Sequence, residues 1–216
     1  MNSTDPHAHD LATLEARAAQ ATRSGQTREA LDLWAQLLAR APNHLAALTQ
    51  IGQASYRGGD WPAARAAFER ACSVEPHSAR RWVNLATVLE RQGDDDALEA
   101  ALTKALTVEP RELLALLMRG RLHERRGQVA KAAAAYGAAA AVAPAREGLM
   151  PELRPLLDHA LDYSARRRQA LAAHVDERME VALRDCGGGR DVERFRLSLD
   201  ILLGRKRRHD SEALVY

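Results

Sequence analysis

The chain has 216 residues, with 31 Lys+Arg against 29 Asp+Glu and a formal net charge of +2. So close a balance leaves no global field to attract nucleic acid or an anionic membrane. Hydrophobic residues make up 46% of the chain and aromatics only 4%; alanine supplies much of the apolar share, a composition that suits close-packed helices and gives strands little support.

Two cysteines, Cys72 and Cys186, are too few for a disulfide framework, so a reducing compartment and a cytoplasmic location are expected. Cys72 reads as a small core or groove-wall residue. Met1 to Asp10 is polar and has no apolar leader, and no run of about 18 apolar residues follows it. Residues 1–10 are therefore read as a disordered N-terminus. His7-Ala8-His9-Asp10 within them could chelate a metal only if ordered.

From residue 11 the chain keeps a period. Pro42, Pro76, Pro110 and Pro144 recur at a spacing of 34 residues, and Gly25, Gly59, Gly93 and Gly127 keep the same step. Four uninterrupted repeats result: 11–44, 45–78, 79–112 and 113–146. Position 8 is small (Ala18, Gly52, Ala86, Gly120) and position 24 bulky (Trp34, Phe68, Leu102, Tyr136). The small residues let two helices approach, and the bulky one fills the space between them. The glycine ends each first helix through a left-handed C-cap. The proline ends each second helix because it has no N–H to donate and restricts the residue before it. Asp60 and Pro62 read as the cap and first turn of a helix. Repeat three departs at Leu98, where the other repeats place alanine. Repeat one departs at Arg17, which fits a solvated helix at the end of a stack.

This pattern resembles the tetratricopeptide repeat, most closely in Leu48-Ile51-Gly52-Ala64-Phe68-Ala71-Pro76. The resemblance implies an all-α, right-handed helical-repeat solenoid of four helix pairs. It also implies a concave groove lined by the first helices, where a peptide or partner protein binds. Carried onto this chain, the groove positions are Thr49, Gln53 and Tyr56; Arg80, Val83, Asn84, Thr87 and Glu90; and Leu117, Arg121 and Glu124. The set is mixed in charge and does not reproduce the lysine/asparagine clamp of chaperone-associated members.

The period fails after Pro144. Residues 147–186 read as a capping segment and one long helix, entered through a short turn before Pro155, with Leu153, Leu157 and Leu161 and then Leu171, Val175, Met179 and Leu183 four apart. Its first half is expected to cap the last repeat. Gly187 to Gly189 reads as a hinge. Residues 190–216 read as a further short helix followed by a connector, with an apolar stripe of Val192, Phe195, Leu199, Leu202 and Leu203 suited to self-association or to docking a further domain.

The segment Arg194-Phe195-Arg196-Leu197-Ser198-Leu199-Asp200-Ile201-Leu202-Leu203-Gly204-Arg205-Lys206-Arg207 resembles the stretch that joins the N-terminal tetratricopeptide region to the catalytic domain in bacterial aspartyl/asparaginyl β-hydroxylases. That resemblance implies a truncated layout, with an Fe(II)- and 2-oxoglutarate-dependent domain beginning near Tyr216. No metal or co-substrate residue of that family has a counterpart here. The chain is therefore expected to be non-enzymatic and to bind no cofactor.

Other motifs argue for little chemistry. His174-Val175-Asp176 has metal-ligand spacing, but residues i and i+2 on a helix diverge by about 200°. Arg166-Arg167-Arg168 and Arg205-Lys206-Arg207-Arg208 lie beside acids, so nucleic-acid binding ranks last. A stand-alone repeat adaptor with no hydroxylase link is the alternative reading.

Overall fold

The computed structural model describes residues 6–186 together with Leu197 and Asp200. The chain divides into two compact units, residues 1–145 and 146–216. Among the described residues there is no strand.

The first unit is a series of helix pairs: α1 (Pro6–Arg23) with α2 (Thr27–Arg40), α3 (Leu45–Arg57) with α4 (Trp61–Val74), α5 (Ala79–Gln92) with α6 (Asp95–Val108), and α7 (Leu113–Arg125) with α8 (Val129–Val142). Each second helix also packs on the first helix of the next pair, so burial proceeds along the stack rather than around one centre.

The punctuation seen in the sequence has a direct structural counterpart. Gly25, Gly59, Gly93 and Gly127 adopt φ between 67° and 79°. A Cβ added at any of them would meet nothing within 4 Å, so the requirement there is conformational and not steric. Each second helix stops two residues before its proline, and the intervening residue (Ala41, Glu75, Glu109 or Ala143) has left helical geometry. Asp60 caps α4 by accepting the Ala63 N–H at 3.0 Å, and Asp94 caps α6 by accepting that of Ala97 at 3.2 Å. Asp94 also accepts from Arg65 at 2.9 Å. The backbone bond first, and Arg65 second, hold its carboxyl below the usual carboxylate range.

The position-24 side chains form the centre of each pair. Trp34, Phe68, Leu102 and Tyr136 are all buried. Two of them end in polar atoms that reach position 12 of their own first helix: Trp34 Nε1 donates to Thr22 at 3.0 Å, and the Tyr136 hydroxyl donates to Glu124 at 2.6 Å. Leu98, which departs from the small residue of the other repeats, is fully buried. Arg17 is exposed.

Polar bridges join successive repeats. Arg125 contacts Asp95 at 2.7 Å and Glu90 at 3.3 Å. Arg126 contacts Asp96 at 2.7 Å and also Glu99. Arg81 donates to the Thr49 hydroxyl at 2.9 Å and to Glu75 at 2.9 Å.

The N-terminal expectation needs correction. Pro6 to Asp10, read from sequence as disordered, belong to α1. Proline at the first helical position has no N–H to lose, and Asp10 is paired with Arg40 of α2, a partner that composition alone does not reveal.

In the second unit, 3-10 turns at Arg146–Gly148 and Pro151–Leu153 lead into α9 (Arg154–Cys186). Leu157 and Ala160 are buried, whereas Leu161 and Leu171 are 45% and 48% exposed. The apolar stripe read from sequence is thus only partly covered. His174 and Asp176 both lie on α9. Gly187 to Gly189 and the stripe from Val192 to Leu203 lie outside the described residues, apart from helical Leu197 and Asp200.

Burial also settles the character of Cys72. It is 2% exposed and its thiol is pushed up to about 12 by removal from water. In a Cys186→Ser chain, Cys72 is expected to react with a disulfide reagent at neutral pH roughly 100-fold more slowly folded than in denaturant. Equal rates in the two states would contradict this burial.

Candidate functional site

The helices α3, α5 and α7 carry the positions expected to line a groove, and a cavity opens between α3 and α5. A cavity of about 200 Å³ there is lined by Gln53, Tyr56, Arg57, Phe68, Asn84 and Thr87. Gln53 and Tyr56 lie one turn apart on α3, and Asn84 and Thr87 one turn apart on α5, so each helix presents one continuous edge. Phe68 arrives from α4 behind. It reaches through because position 52 is glycine: a Cβ there would sit 2.7 Å from the ring.

Tyr56 is held from two sides. Its ring meets Trp61 edge-on at a centroid distance of 5.1 Å, and its hydroxyl accepts from Arg91 Nε of the next repeat at 3.1 Å. Thr87 donates to the Val83 carbonyl within its own helix at 2.9 Å. Asn84 differs from both. Its Nδ2 is buried and has no hydrogen-bond partner among the described residues, an arrangement that costs about 1–3 kcal/mol when left unrelieved.

Of the sequence-derived positions, Gln53, Tyr56, Asn84 and Thr87 come together in this cavity. Arg80 is exposed one turn before Asn84 on α5. Arg121 and Glu90 form an ion pair at 3.4 Å, and Glu124 holds the Tyr136 hydroxyl. Thr49, Val83 and Leu117 require correction. All three occupy position 5, and their exposures are 9%, 6% and 0%. They are wall and core residues rather than open groove surface. Thr49 spends its hydroxyl on the Leu45 carbonyl and on Arg81.

Arg57 and Phe68 were not among the sequence-derived positions. The pairing of Gly52 with Phe68 in the period was the available signal for Phe68, because an absent Cβ opposite a large ring lets the ring pass. Arg57 directly follows Tyr56 and also borders a second cavity of about 370 Å³ lined in part by Thr22, Trp34, Gln50 and Ala54.

Helix pairs that recur in one register, each turning at a positive-φ glycine and stopping before a proline, define a helical-repeat array. The tetratricopeptide repeat profile matches residues 15–73, 49–97 and 85–147, which together span well over half of the chain, and the chain belongs to that family. No curated protein sequence matches it significantly.

Solved structures agree in fold. The crystal structure of MamA protein matches with a TM-score of 0.59 at 19% identity, covering 71% of this chain and 87% of that one. The Yersinia enterocolitica type III secretion chaperone SycD, in complex with a peptide of the translocator YopD, matches with a TM-score of 0.51 at 16% identity, covering 56% and 89%. The TPR2B domain of yeast Sti1, in its pHsp70 complex, matches with a TM-score of 0.50 at 20% identity, covering 57% and 97%. Among the described residues no helix is long and apolar enough to cross a membrane.

Proposed function

We propose that this chain is a non-enzymatic protein-interaction module that works without a cofactor and binds a peptide or partner segment across the α3–α5 groove. The observation that carries the reading is Asn84: a buried Nδ2 with no hydrogen-bond partner among the described residues, beside an open apolar cavity. A rotation about its Cβ–Cγ bond turns the donor towards the cavity, where a peptide carbonyl could accept it. Two fold relatives, one in complex with a translocator peptide and one in complex with pHsp70, are consistent with this use of the fold.

The test is to pan a random peptide library against the full chain and against Thr87→Trp, which fills the cavity from α5. Enrichment on the parent chain and none on the variant is expected, with circular dichroism showing both folded. Equal enrichment on both would remove the groove from the mechanism.

A second reading rests on the segment Arg194 to Arg207. On it, the repeats serve as the non-catalytic region of an aspartyl/asparaginyl β-hydroxylase-like protein in a bacterial cytoplasm. Reading the gene downstream of Tyr216 tests this. A β-rich domain with iron ligands is expected, and a stop codon with no hydroxylase domain encoded nearby would rule it out.

A further inference from the structure

Some arginines of the first unit meet a carboxylate, whereas others, among them Arg17, Arg28, Arg111 and Arg119 outside the cavity lining as well as those beside it, have no ion pair among the described residues. Those that bridge repeats away from the cavity have carboxylate partners: Arg65 pairs with Glu69 and Asp94, Arg125 with Asp95, and Arg126 with Asp96. Those around the cavity do not. Arg57 lines it, and no hydrogen bond or ion pair of its side chain is found among the described residues. Arg80, exposed one turn before Asn84, is likewise unpaired among the described residues. Arg91 donates to the Tyr56 hydroxyl and has no ion pair within contact distance among the described residues, with Glu90 acting on it only at longer range.

Glu90, the acid on the same helix as Asn84 and Thr87, is already engaged by Arg121 at 3.4 Å and Arg125 at 3.3 Å. The result is an apolar well of about 200 Å³ beside arginines that make no ion pair among the described residues, in a chain whose net charge is only +2. A local excess of one sign in a neutral chain is a surface that selects its partner by charge.

We propose that the centre of the groove takes an internal acidic peptide segment with one apolar side chain. The apolar group enters the cavity between Tyr56 and Phe68, its backbone carbonyl accepts from Asn84, and flanking aspartates or glutamates meet Arg57, Arg80 and Arg91. The cavity has room for a single large side chain, which sets one anchor and not a run of them. An internal segment fits because the arginines stand on both helices that border the cavity, Arg57 on α3 and Arg80 and Arg91 on α5, so acids on either side of the apolar residue can be met. Guanidinium groups suit side-chain carboxylates because their forked N–H groups match both oxygens.

This rests on the groove reading above, and the experiment separates the two. Peptides enriched by panning are sequenced, and the consensus peptide, amidated at its C-terminus, is synthesised with a fluorophore. Its anisotropy is then measured against the full chain, an Arg57→Gln/Arg80→Gln variant and Thr87→Trp, at low and high salt. The expected consensus is an aromatic or aliphatic residue flanked by Asp or Glu. Its affinity should fall about tenfold in the double arginine variant and fall with salt, while Thr87→Trp abolishes it.

A consensus without acidic bias, an affinity indifferent to the arginine variant, or a strict need for a free C-terminal carboxylate would overturn the acidic-segment proposal; if Thr87→Trp still abolished binding, the groove reading would stand. No enrichment at all, or binding unaffected by Thr87→Trp, would overturn both. The exposed arginine variants are checked by their melting curves, which should overlay that of the parent.

Discussion

Replacing Gly120 by alanine is expected to destabilise the chain, although alanine is the better helix former. The propensity gain in a helix interior is about 1 kcal/mol. Against it stands the Tyr136 ring, whose Cδ1, Cε1 and Cζ atoms occupy the place where the new Cβ must go. That ring is fully buried, and its hydroxyl is tied to Glu124 at 2.6 Å, so it has no low-cost direction in which to move. Overpacking of this kind costs about 1–3 kcal/mol or more, leaving a net loss. Repeat three shows the compatible alternative, Ala86 opposite Leu102, both fully buried. The pair Gly120→Ala/Tyr136→Leu is therefore expected to be more stable than the sum of its single changes, by at least about 1 kcal/mol of coupling. Urea unfolding followed by circular dichroism measures the cycle. Additive single changes would mean that the ring and the backbone at position 120 are not in contact.

Asn84→Leu is expected to move stability and binding in opposite directions. The amide carries a buried Nδ2 with no hydrogen-bond partner among the described residues. An apolar side chain of similar size removes that penalty and packs beside Phe68 and Tyr56 in the cavity wall. A gain of about 1 kcal/mol is expected. Peptide capture should weaken at the same time, because the donor is gone and the cavity is narrower. Thermal melts and anisotropy on the same preparation check both signs. A lower melting temperature would show that the amide stabilises the free chain, which would remove the main reason for assigning it to a ligand. An unpaired buried group that is stabilised by its removal is the usual mark of a position kept for function rather than for folding.

The repeat architecture was readable because its signals are local. A glycine at positive φ and a proline that cannot donate act within one or two residues, so Gly25, Gly59, Gly93 and Gly127 mark their turns whatever surrounds them. The bulky position 24 was readable for a similar reason, since its small partner recurs at position 8. The groove was less legible. Positions 5 and 9 are four residues apart and differ by only about 40° around a helix. That small angle separates Val83, which is buried, from Thr87, which lines the cavity. The state of Asn84 was not legible at all, because an unpaired amide is defined by what its neighbours fail to offer. The helical start at Pro6 was missed because its tie, Asp10 to Arg40, joins residues 30 apart.

Apart from Arg81–Glu75, the polar bridges between side chains of successive repeats reach 27 to 35 residues along the chain, about one repeat. Contacts of such uniform and modest reach keep the loop-closure cost of each folding step nearly constant. A chain built this way can be lengthened or shortened by whole periods without redesign, because each junction asks only for the preceding helix pair. A copy of residues 45–78 inserted after residue 78 meets the same kind of neighbour on both sides, and it would add a further stretch of groove rather than disturb the one already present.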